Sequence, residues 1–275
     1  MTTALLFFAA FVGGALNSVA GGGAFLTLPA LLFVGVPAVA ANATSTFAMW
    51  PASLASAFAY RGEIARAGHW MVRLGAISLV GGLLGGLLLV GTSDESFVRL
   101  LPWLMLVSAV TFSFGSRITA WAHARRAVDA AAADARERVD GPVAMAPVAG
   151  HDGGIHNVHV PLWTLPLQLV IAVYGGYFGG GMGIMMLAAM AVAGMTDIHE
   201  MNAVKVLLAI AINGVALATF VASGSIAWAP GIVMVLGGVC GGYTGASLAR
   251  RVDGASVRVL VIAVAWGMTL YFFLR

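Results

Sequence analysis

Charged side chains are scarce in this sequence. Of 275 residues, 14 are Lys or Arg and 11 are Asp or Glu, so only 9% carry a charge. A soluble domain has about 25% charged residues, so this composition cannot supply a water-facing surface and excludes a soluble globular protein. With 60% hydrophobic residues and a mean hydropathy of +0.96, the chain is predicted to lie in a membrane.

Cysteine and lysine occur once each, as Cys240 and Lys205. A single cysteine excludes an internal disulfide and leaves too few thiolates for a metal cluster. The net charge of +3 comes from arginines in loops between apolar segments, not from the basic face that nucleic-acid binding requires. The signatures H-E-x-x-H and G-x-S-x-G are also absent. The sequence therefore predicts neither nucleic-acid binding nor enzymatic activity, and it indicates no cofactor.

Long apolar runs are abundant, and about 20 helical residues suffice to cross the hydrocarbon core of a bilayer. The predicted segments are approximately 2–20, 24–36, 42–60, 71–92, 97–116, 162–180, 182–194, 202–222, 229–248 and 256–274. The stretch 117–161 between the two sets of five holds five arginines and five acidic residues. We expect a first transmembrane repeat at 1–116, a cytoplasmic linker loop at 117–161 containing a short helix, and a second transmembrane repeat at 162–275.

The two halves carry matching landmarks in the same order, which predicts a duplication. The pairs are Gly13-Gly14 with Gly175-Gly176, Asn42–Ser45 with Asn202–Lys205, and Gly81–Gly86 with Gly237–Gly242. Arginines flank the 61–70 loop, whereas its counterpart 223–229 has no charge, so the positive-inside rule places these loops on opposite sides. The predicted fold is an all-α polytopic membrane protein with two inverted repeats, each a glycine-broken helical hairpin followed by three transmembrane helices.

Glycine clusters precede the short second arms of the two hairpins, 24–36 and 182–194. Inverted-repeat transporters use such broken helices to point free N–H groups at an anion, although close packing of small residues explains the same clusters. The residues predicted to bind an anionic substrate are Gly21, Gly22, Gly23, Asn42, Thr44, Ser45, Gly180, Gly181, Gly183, Asn202 and Lys205. Three further polar residues in apolar segments either touch the substrate or bond between helices: Asn17, Ser18 and Asn213.

Lys205 lies about one turn inside its apolar segment, where a charge is costly unless it snorkels, pairs or meets a ligand. Snorkelling to the interface or pairing with Glu200 is one interpretation, and contact with an anionic substrate is the other. The spacings Gly82-x-x-x-Gly86 and Gly238-x-x-x-Gly242 are typical of close helix packing. We therefore expect Gly22→Leu and Gly181→Leu to be more damaging than Gly82→Ala.

Four runs of sequence carry a family resemblance. They are AGGGAFLTLPALLFVGVPAVAANATST and FAYRGEI in the first half, and GGYFGGGMGIMMLAAM and MNAVKVLLAIAINGVALATFVASGSIAW in the second. These runs resemble the TauE/SafE family of sulfite and organosulfonate exporters. The resemblance implies export of a small sulfur-containing anion, such as sulfite or sulfoacetate, across the bacterial inner membrane. It covers nearly the whole chain except 117–161, and its partners would be the anion and the lipid bilayer.

The middle of every apolar segment lacks Asp and Glu, which a proton-coupled carrier usually needs as a relay. We therefore expect alternating access driven by the membrane potential. One alternative is a non-transporting membrane component whose 117–161 loop binds a partner or assists assembly. Another is a transporter of a different ligand, including a metal held by His151, His156 and His159.

Overall fold

A computed structural model gives the fold of the protein. It describes residues 2–20, 22–59, 61–64, 70–140, 161–195, 197–248 and 254–274, and these contain helices but no strand. The helices are α1 (Thr2–Ala20), α2 (Ala24–Phe33), α3 (Ala38–Ala59), α4 (Arg61–Ile64), α5 (Trp70–Val90), α6 (Asp94–Asp140), α7 (Thr164–Tyr177), α8 (Met182–Ala193), α9 (Ile198–Ala222), α10 (Trp228–Leu248) and α11 (Gly254–Leu274). The predicted all-helical fold is confirmed.

Three of the described helices are long and apolar enough to cross a bilayer: Trp70–Val90, Asp94–Trp121 and Glu200–Ala222. Six further apolar helices are shorter, among them the hairpin arms α2 and α8. Large apolar side chains also cover the outer surface, for example Leu87 and Leu88 on α5, each more than half exposed. A surface of this kind is stable against lipid tails and unstable against water.

The boundary predicted at residue 116 lies inside a helix, because α6 runs without interruption to Asp140. The reason is local: residues 117–140 contain no glycine or proline, and alanine, the best helix former, is frequent there. The first part of the expected linker, 117–140, thus continues the helix that contains the fifth apolar segment. The three histidines considered as metal ligands, at 151, 156 and 159, lie outside the described residues.

Contacts at glycines show the direction in which neighbouring helices run. Gly237 lies against Phe7 and Gly241 against Phe11, so α1 and α10 are parallel. The other contacts with the same four-residue step are Gly81 with Leu169, Gly85 with Val173, Gly82 with Ile212, and Gly86 with Ala216. They make α5 parallel to both α7 and α9. Helix backbones can approach this closely only where the side chain is a hydrogen atom.

The helix contacts of one half mirror those of the other. Helix α1 packs on α10 as α7 packs on α5, and α3 packs on α10 as α9 packs on α5. The hairpin arm α8 packs against α6, and the arm α2 against α11. A large core cluster that includes Phe25, Leu28 and Phe112 lies around α2. A smaller cluster around α8 contains Met186 and Met201. The two hairpins are thus each enclosed by helices of both halves.

Candidate functional site

The break between α7 and α8 is built from glycines in the left-handed region. Helix α7 ends at Tyr177 and α8 begins at Met182, and between them Gly179 and Gly181 have φ of 82° and 79°. Residues with a Cβ rarely adopt this conformation, so the sequence chooses glycine at both places. No side chain caps the start of α8. The turn therefore presents a helix N-terminus whose first N–H groups have no side-chain acceptor.

The break between α1 and α2 is closed by side chains instead. Gly23 precedes α2 with a right-handed φ of −58°, and a Cβ on Gly22 would lie 2.8 Å from Cγ1 of Val261 and 3.4 Å from the ring of Phe112. A Cβ on Gly23 would lie 2.7 Å from the carbonyl oxygen of Gly13 on α1. Gly21 lies outside the described residues. The two predicted breaks exist, but only the second is made of positive-φ glycines in the described part of the chain.

Lys205 reaches the first turn of α8. A Cβ on Gly183 would lie 3.3 Å from Cδ of Lys205, so the lysine methylenes pass directly over this glycine. The ammonium donates one hydrogen bond, of 2.8 Å, to Oδ1 of Asn202. Within the described ranges no carboxylate forms a salt bridge with it, so the pairing with Glu200 that the sequence allowed is not seen. Lys205, Asn202 and Gly183 thus lie together, and no acidic side chain among the described residues pairs with the ammonium.

Asn42, Thr44 and Ser45 lie in the core and bond to three different elements. Nδ2 of Asn42 donates to the carbonyl of Tyr177 over 2.8 Å, and Oγ1 of Thr44 accepts from the backbone N–H of Ala227 over 3.0 Å. Oγ of Ser45 lies 2.6 Å from Oγ1 of Thr27. Oγ1 of Thr27 also donates to the carbonyl of Gly23 over 3.2 Å. These three residues join α3 to the ends of α7, α10 and α2.

The remaining predicted polar residues occupy different places. Asn17 is half-buried and its Cβ borders Gly23 at the first break. Asn213 is half-buried in α9, next to the glycine that faces the ring of Trp50. Ser18 belongs to α1, and its side chain lies outside the described set. The structure therefore brings Asn17 to the first break and leaves Asn213 on α9, beside the contact between that helix and Trp50 of α3.

Sequence reasoning missed two polar groups that contact the second break. Oγ of Ser108, fully buried on α6, donates to the carbonyl of Gly180 over 2.7 Å. The same oxygen lies 2.6 Å from the hydroxyl of Tyr174 on α7. Ser108 sits in an apolar run with no motif around it, and Tyr174, 66 positions away, precedes the Gly175-Gly176 landmark without being part of it. Only the packing of α6 against the α7–α8 hairpin reveals their role.

Replacing Asn42 by alanine should lower the free energy of unfolding. The substitution leaves the buried carbonyl of Tyr177 without its donor, which costs about 1–3 kcal/mol of unfolding free energy. The neighbouring Thr46→Ala is the matched control, because Oγ1 of Thr46 bonds only to the carbonyl of Asn42 on its own helix. Denaturation by SDS in mixed micelles measures both variants. Equal midpoints for Asn42→Ala and Thr46→Ala would contradict the assignment.

No group of three or more His, Cys, Asp or Glu side chains suited to a metal ion occurs among the described residues. The polar groups at the second break are instead hydrogen-bond donors and one ammonium. Such a set stabilises negative charge.

Comparison with known proteins adds an independent finding. The family described as "Sulfite exporter TauE/SafE" matches residues 6–272. A "Probable membrane transporter protein" of Haemophilus influenzae is 26% identical over 269 residues, covering 97% of this chain and 92% of that protein. "Probable membrane transporter protein ORF9" of Sinorhizobium sp is 26% identical over 273 residues, covering 97% and 90%. "Probable membrane transporter protein YfcA" of Escherichia coli K12 is 24% identical over 266 residues, covering 95% and 86%.

No solved structure matches the chain. The family match nevertheless spans almost its whole length, and the three relatives are each named as membrane transporters. The apolar helices and the broken hairpins agree with that description. The chain therefore belongs to the sulfite exporter TauE/SafE family of membrane transporters.

Proposed function

We propose that this protein exports a small sulfur-containing oxyanion, sulfite or an organosulfonate such as sulfoacetate, across the bacterial inner membrane. The observation that carries the proposal is the contact between Lys205 and the start of α8. An ammonium and a helix N-terminus are both positive, and no carboxylate in the described residues pairs with the lysine. An anion bound between them would remove the repulsion.

Desolvation makes this pairing selective for a charged solute. Lys205 is half-buried in the segment Glu200–Ala222, about 8 Å from its beginning at a rise of 1.5 Å per residue. A charge at such depth costs several kcal/mol unless it meets an opposite charge. Sulfite and sulfonates carry three oxygens that accept hydrogen bonds from both N–H groups and an ammonium. Asn202, which holds the ammonium through Oδ1, orients the donor.

Inverted repeats are part of this proposal, and the helix directions support them. The N–H of Ala227, just before α10, bonds to Thr44 near the start of α3, so the 223–227 loop lies at the end of the molecule where α3 begins. Its repeat counterpart is the 61–70 loop, whose described part, α4 at Arg61–Ile64, follows the other end of α3. Equivalent loops at opposite ends are what an inverted duplication requires. Alternating access then follows from rocking of two oppositely oriented halves around the hairpins.

Loop charge supports an orientation. Arg61, Arg73 and Arg117 lie towards the end of the molecule where α3 finishes and α5 begins. Asp94 is at the opposite end, where it accepts a 2.7 Å hydrogen bond from the N–H of Val39. The positive-inside rule assigns the arginine-rich end to the cytoplasm. The α6 extension and the rest of 117–161 would then be cytoplasmic, and Lys205, near the start of α9, would face the compartment from which the anion is exported.

The membrane potential can drive this export without a coupling ion. Moving a charge across 100 mV is worth about 2.3 kcal/mol, so a dianion leaving an inside-negative cell gains about 4.6 kcal/mol. In proteoliposomes loaded with radioactive sulfite, we expect efflux to rise when valinomycin and potassium make the inside negative, and a pH gradient alone to have little effect. Flux that ignores voltage and follows the pH gradient would contradict the mechanism. Liposomes without protein give the background rate.

A binding panel identifies the substrate class. Calorimetry on the purified protein measures the affinity for sulfite, sulfoacetate, thiosulfate, sulfate and chloride. We expect the tightest binding for sulfite, sulfoacetate or thiosulfate. Binding of chloride alone would remove the oxyanion proposal. Weak, equal binding of all five would show that the positive site is unselective and that the exporter function has to be abandoned.

A further inference from the structure

The peptide between Gly180 and Gly181 is held from outside its own hairpin. Oγ of Ser108 on α6 donates to the carbonyl of Gly180 over 2.7 Å, and Ser108 is completely buried. A Cβ on Gly181 would lie 3.2 Å from Cα of Ser108 and 3.3 Å from its Cβ, so α6 packs directly against the turn. The break before α8 thus depends on a residue of the first half of the chain.

Tyr174 completes a network that has fewer protons than contacts. Its hydroxyl lies 2.6 Å from Oγ of Ser108 and 3.1 Å from the carbonyl of Leu104. Ser108 and Tyr174 supply two hydroxyl protons, whereas three oxygen–oxygen contacts each need one. One contact is therefore always without a proton. Leu104 lies inside α6, where its carbonyl already accepts a helical hydrogen bond, so the contact with Leu104 is the one that can be lost most cheaply.

The remaining two hydrogen bonds fix the direction in which each hydroxyl donates. Tyr174 donates to Ser108, and Ser108 donates to the carbonyl of Gly180, which lies in the turn outside the helical ladders of α7 and α8. A trans peptide points its N–H away from its C=O. With the carbonyl of Gly180 turned towards α6, the N–H of Gly181 points away from α6. This N–H belongs to the residue that precedes the first turn of α8.

Without the Ser108 bond this peptide could turn over easily. The bond between Gly180 and Gly181 is flanked by two residues without a Cβ, for which rotation of the peptide plane meets little steric resistance. A rotated peptide would direct a carbonyl oxygen, which is negative, to the place where the N–H had pointed. At the first break, by contrast, Gly22 meets the apolar side chains of Val261 and Phe112. The carbonyl of Gly23 at the first break accepts a hydrogen bond from Thr27 of the same hairpin, whereas the donor to Gly180 comes from α6, outside its hairpin.

We propose that Ser108 is a positioning residue for anion binding: it fixes the Gly180–Gly181 peptide so that the start of α8 offers N–H groups to the substrate, while Tyr174 orients the serine hydroxyl. The inference rests on the proposed function, since it concerns the same anion site. Ser108 itself does not touch the anion, because its hydroxyl is bonded to Gly180 and Tyr174. Its effect should therefore appear in affinity and leave the maximal transport rate nearly unchanged.

Ser108→Ala in the full-length protein tests the proposal. We expect the dissociation constant for sulfite, or for sulfoacetate as the second probe, to rise about tenfold, the effect of leaving one buried carbonyl free to reorient. The KM for efflux should rise by a similar factor, with a maximal rate within twofold of the wild type. Tyr174→Phe removes one proton but keeps the bond from Ser108 to Gly180, so its affinity should fall about two- to threefold.

The control is Thr111→Ala on the same helix, because Oγ1 of Thr111 bonds only to the carbonyl of Val107. It should bind as the wild type does. If Ser108→Ala lowers the melting temperature or the maximal rate and keeps its affinity within twofold, the role of Ser108 is purely structural and the proposal is wrong. If the wild type binds neither probe, the proposed function fails and this inference falls with it. If the wild type binds and Ser108→Ala binds equally, this inference alone fails.

Discussion

Lys205→Met is expected to weaken anion binding about 10- to 100-fold, the worth of a hydrogen bond to a charged group in a partly buried site. Methionine is unbranched and of similar length, so its side chain keeps the contact with Gly183 that the lysine methylenes make. The lost group is the ammonium, which donates to Asn202 and has no acidic partner in the described residues. Calorimetry with sulfite and sulfoacetate measures the change.

The same substitution should not lower stability. It removes the cost of holding an unpaired charge inside an apolar segment, so the melting temperature without substrate should stay equal or rise. Saturating sulfite should raise the melting temperature of the wild type and leave that of Lys205→Met unchanged, since a ligand stabilises only the state it binds. Lys205→Arg keeps a cation and is the matched control, with an affinity closer to the wild type.

Two outcomes would remove Lys205 from the site. A lysine that only snorkels to the interface would leave the affinity of Lys205→Met unaltered. A purely structural lysine would make Lys205→Met unstable with and without sulfite, while the variant still gained stability from the ligand. The change in affinity and the change in melting temperature together distinguish substrate binding from both alternatives.

Gly241→Ala is the second large expected effect, and it acts on stability. A Cβ on Gly241 would overlap the carbonyl oxygen of Phe11 on the parallel helix α1, and a backbone atom cannot move aside as a side chain does. Separating α1 from α10 should cost about 3 kcal/mol, at the upper end of what overpacking usually costs. The adjacent Gly242→Ala is a close control, because its Cβ would lie 3.4 Å from Cβ of Ala52, an ordinary contact.

Denaturation by SDS in mixed micelles should show a large shift of midpoint for Gly241→Ala and a small one for Gly242→Ala. The other repeat offers a second pair of glycines, on α5. A Cβ on Gly85 would overlap the carbonyl oxygen of Val173, whereas a Cβ on Gly86 would lie 3.1 Å from Cα of Ala216. Gly85→Ala should therefore be the less stable of these two variants. Equal denaturation midpoints for the two variants of a pair would show that these glycines are not needed for the close approach of the helices.

These contacts revise one expectation that the sequence suggested. The sequence predicts that Gly82→Ala is less damaging than Gly22→Leu and Gly181→Leu, because Gly82 belongs to a packing motif. A Cβ on Gly82 would lie 2.6 Å from the carbonyl oxygen of Ile212, so even alanine should destabilise the contact between α5 and α9. The first obstacle at Gly22 is the side chain of Val261, which can rotate. Gly82→Ala should therefore be damaging in its own right, while Gly181, with φ of 79°, is strained by any side chain.

The site predicted from the sequence remains a prediction, and in the structure its residues lie in separate places. The sequence placed Asn42, Thr44 and Ser45 beside Lys205 as donors to one substrate, because their positions correspond in the two repeats. In the fold, these three residues bond to Tyr177, Ala227 and Thr27. These hydrogen bonds hold α3 to its neighbours, whereas Lys205 lies against the start of α8.

The sequence by itself determined the membrane class, the all-helical fold, the positions of the apolar helices and the two glycine breaks. These features depend on composition, on the length of apolar runs and on local conformational preference, all of which operate within one stretch of chain. It also identified the family. Contacts between distant residues were decided only by the tertiary structure. Ser108 reaches Gly180, 72 positions away, and the hydroxyl of Tyr174 reaches Leu104, 70 positions away, because α6 packs on the second hairpin. An apolar run gives no sign of which serine will face a broken helix, since its neighbour across the interface comes from the other half of the chain.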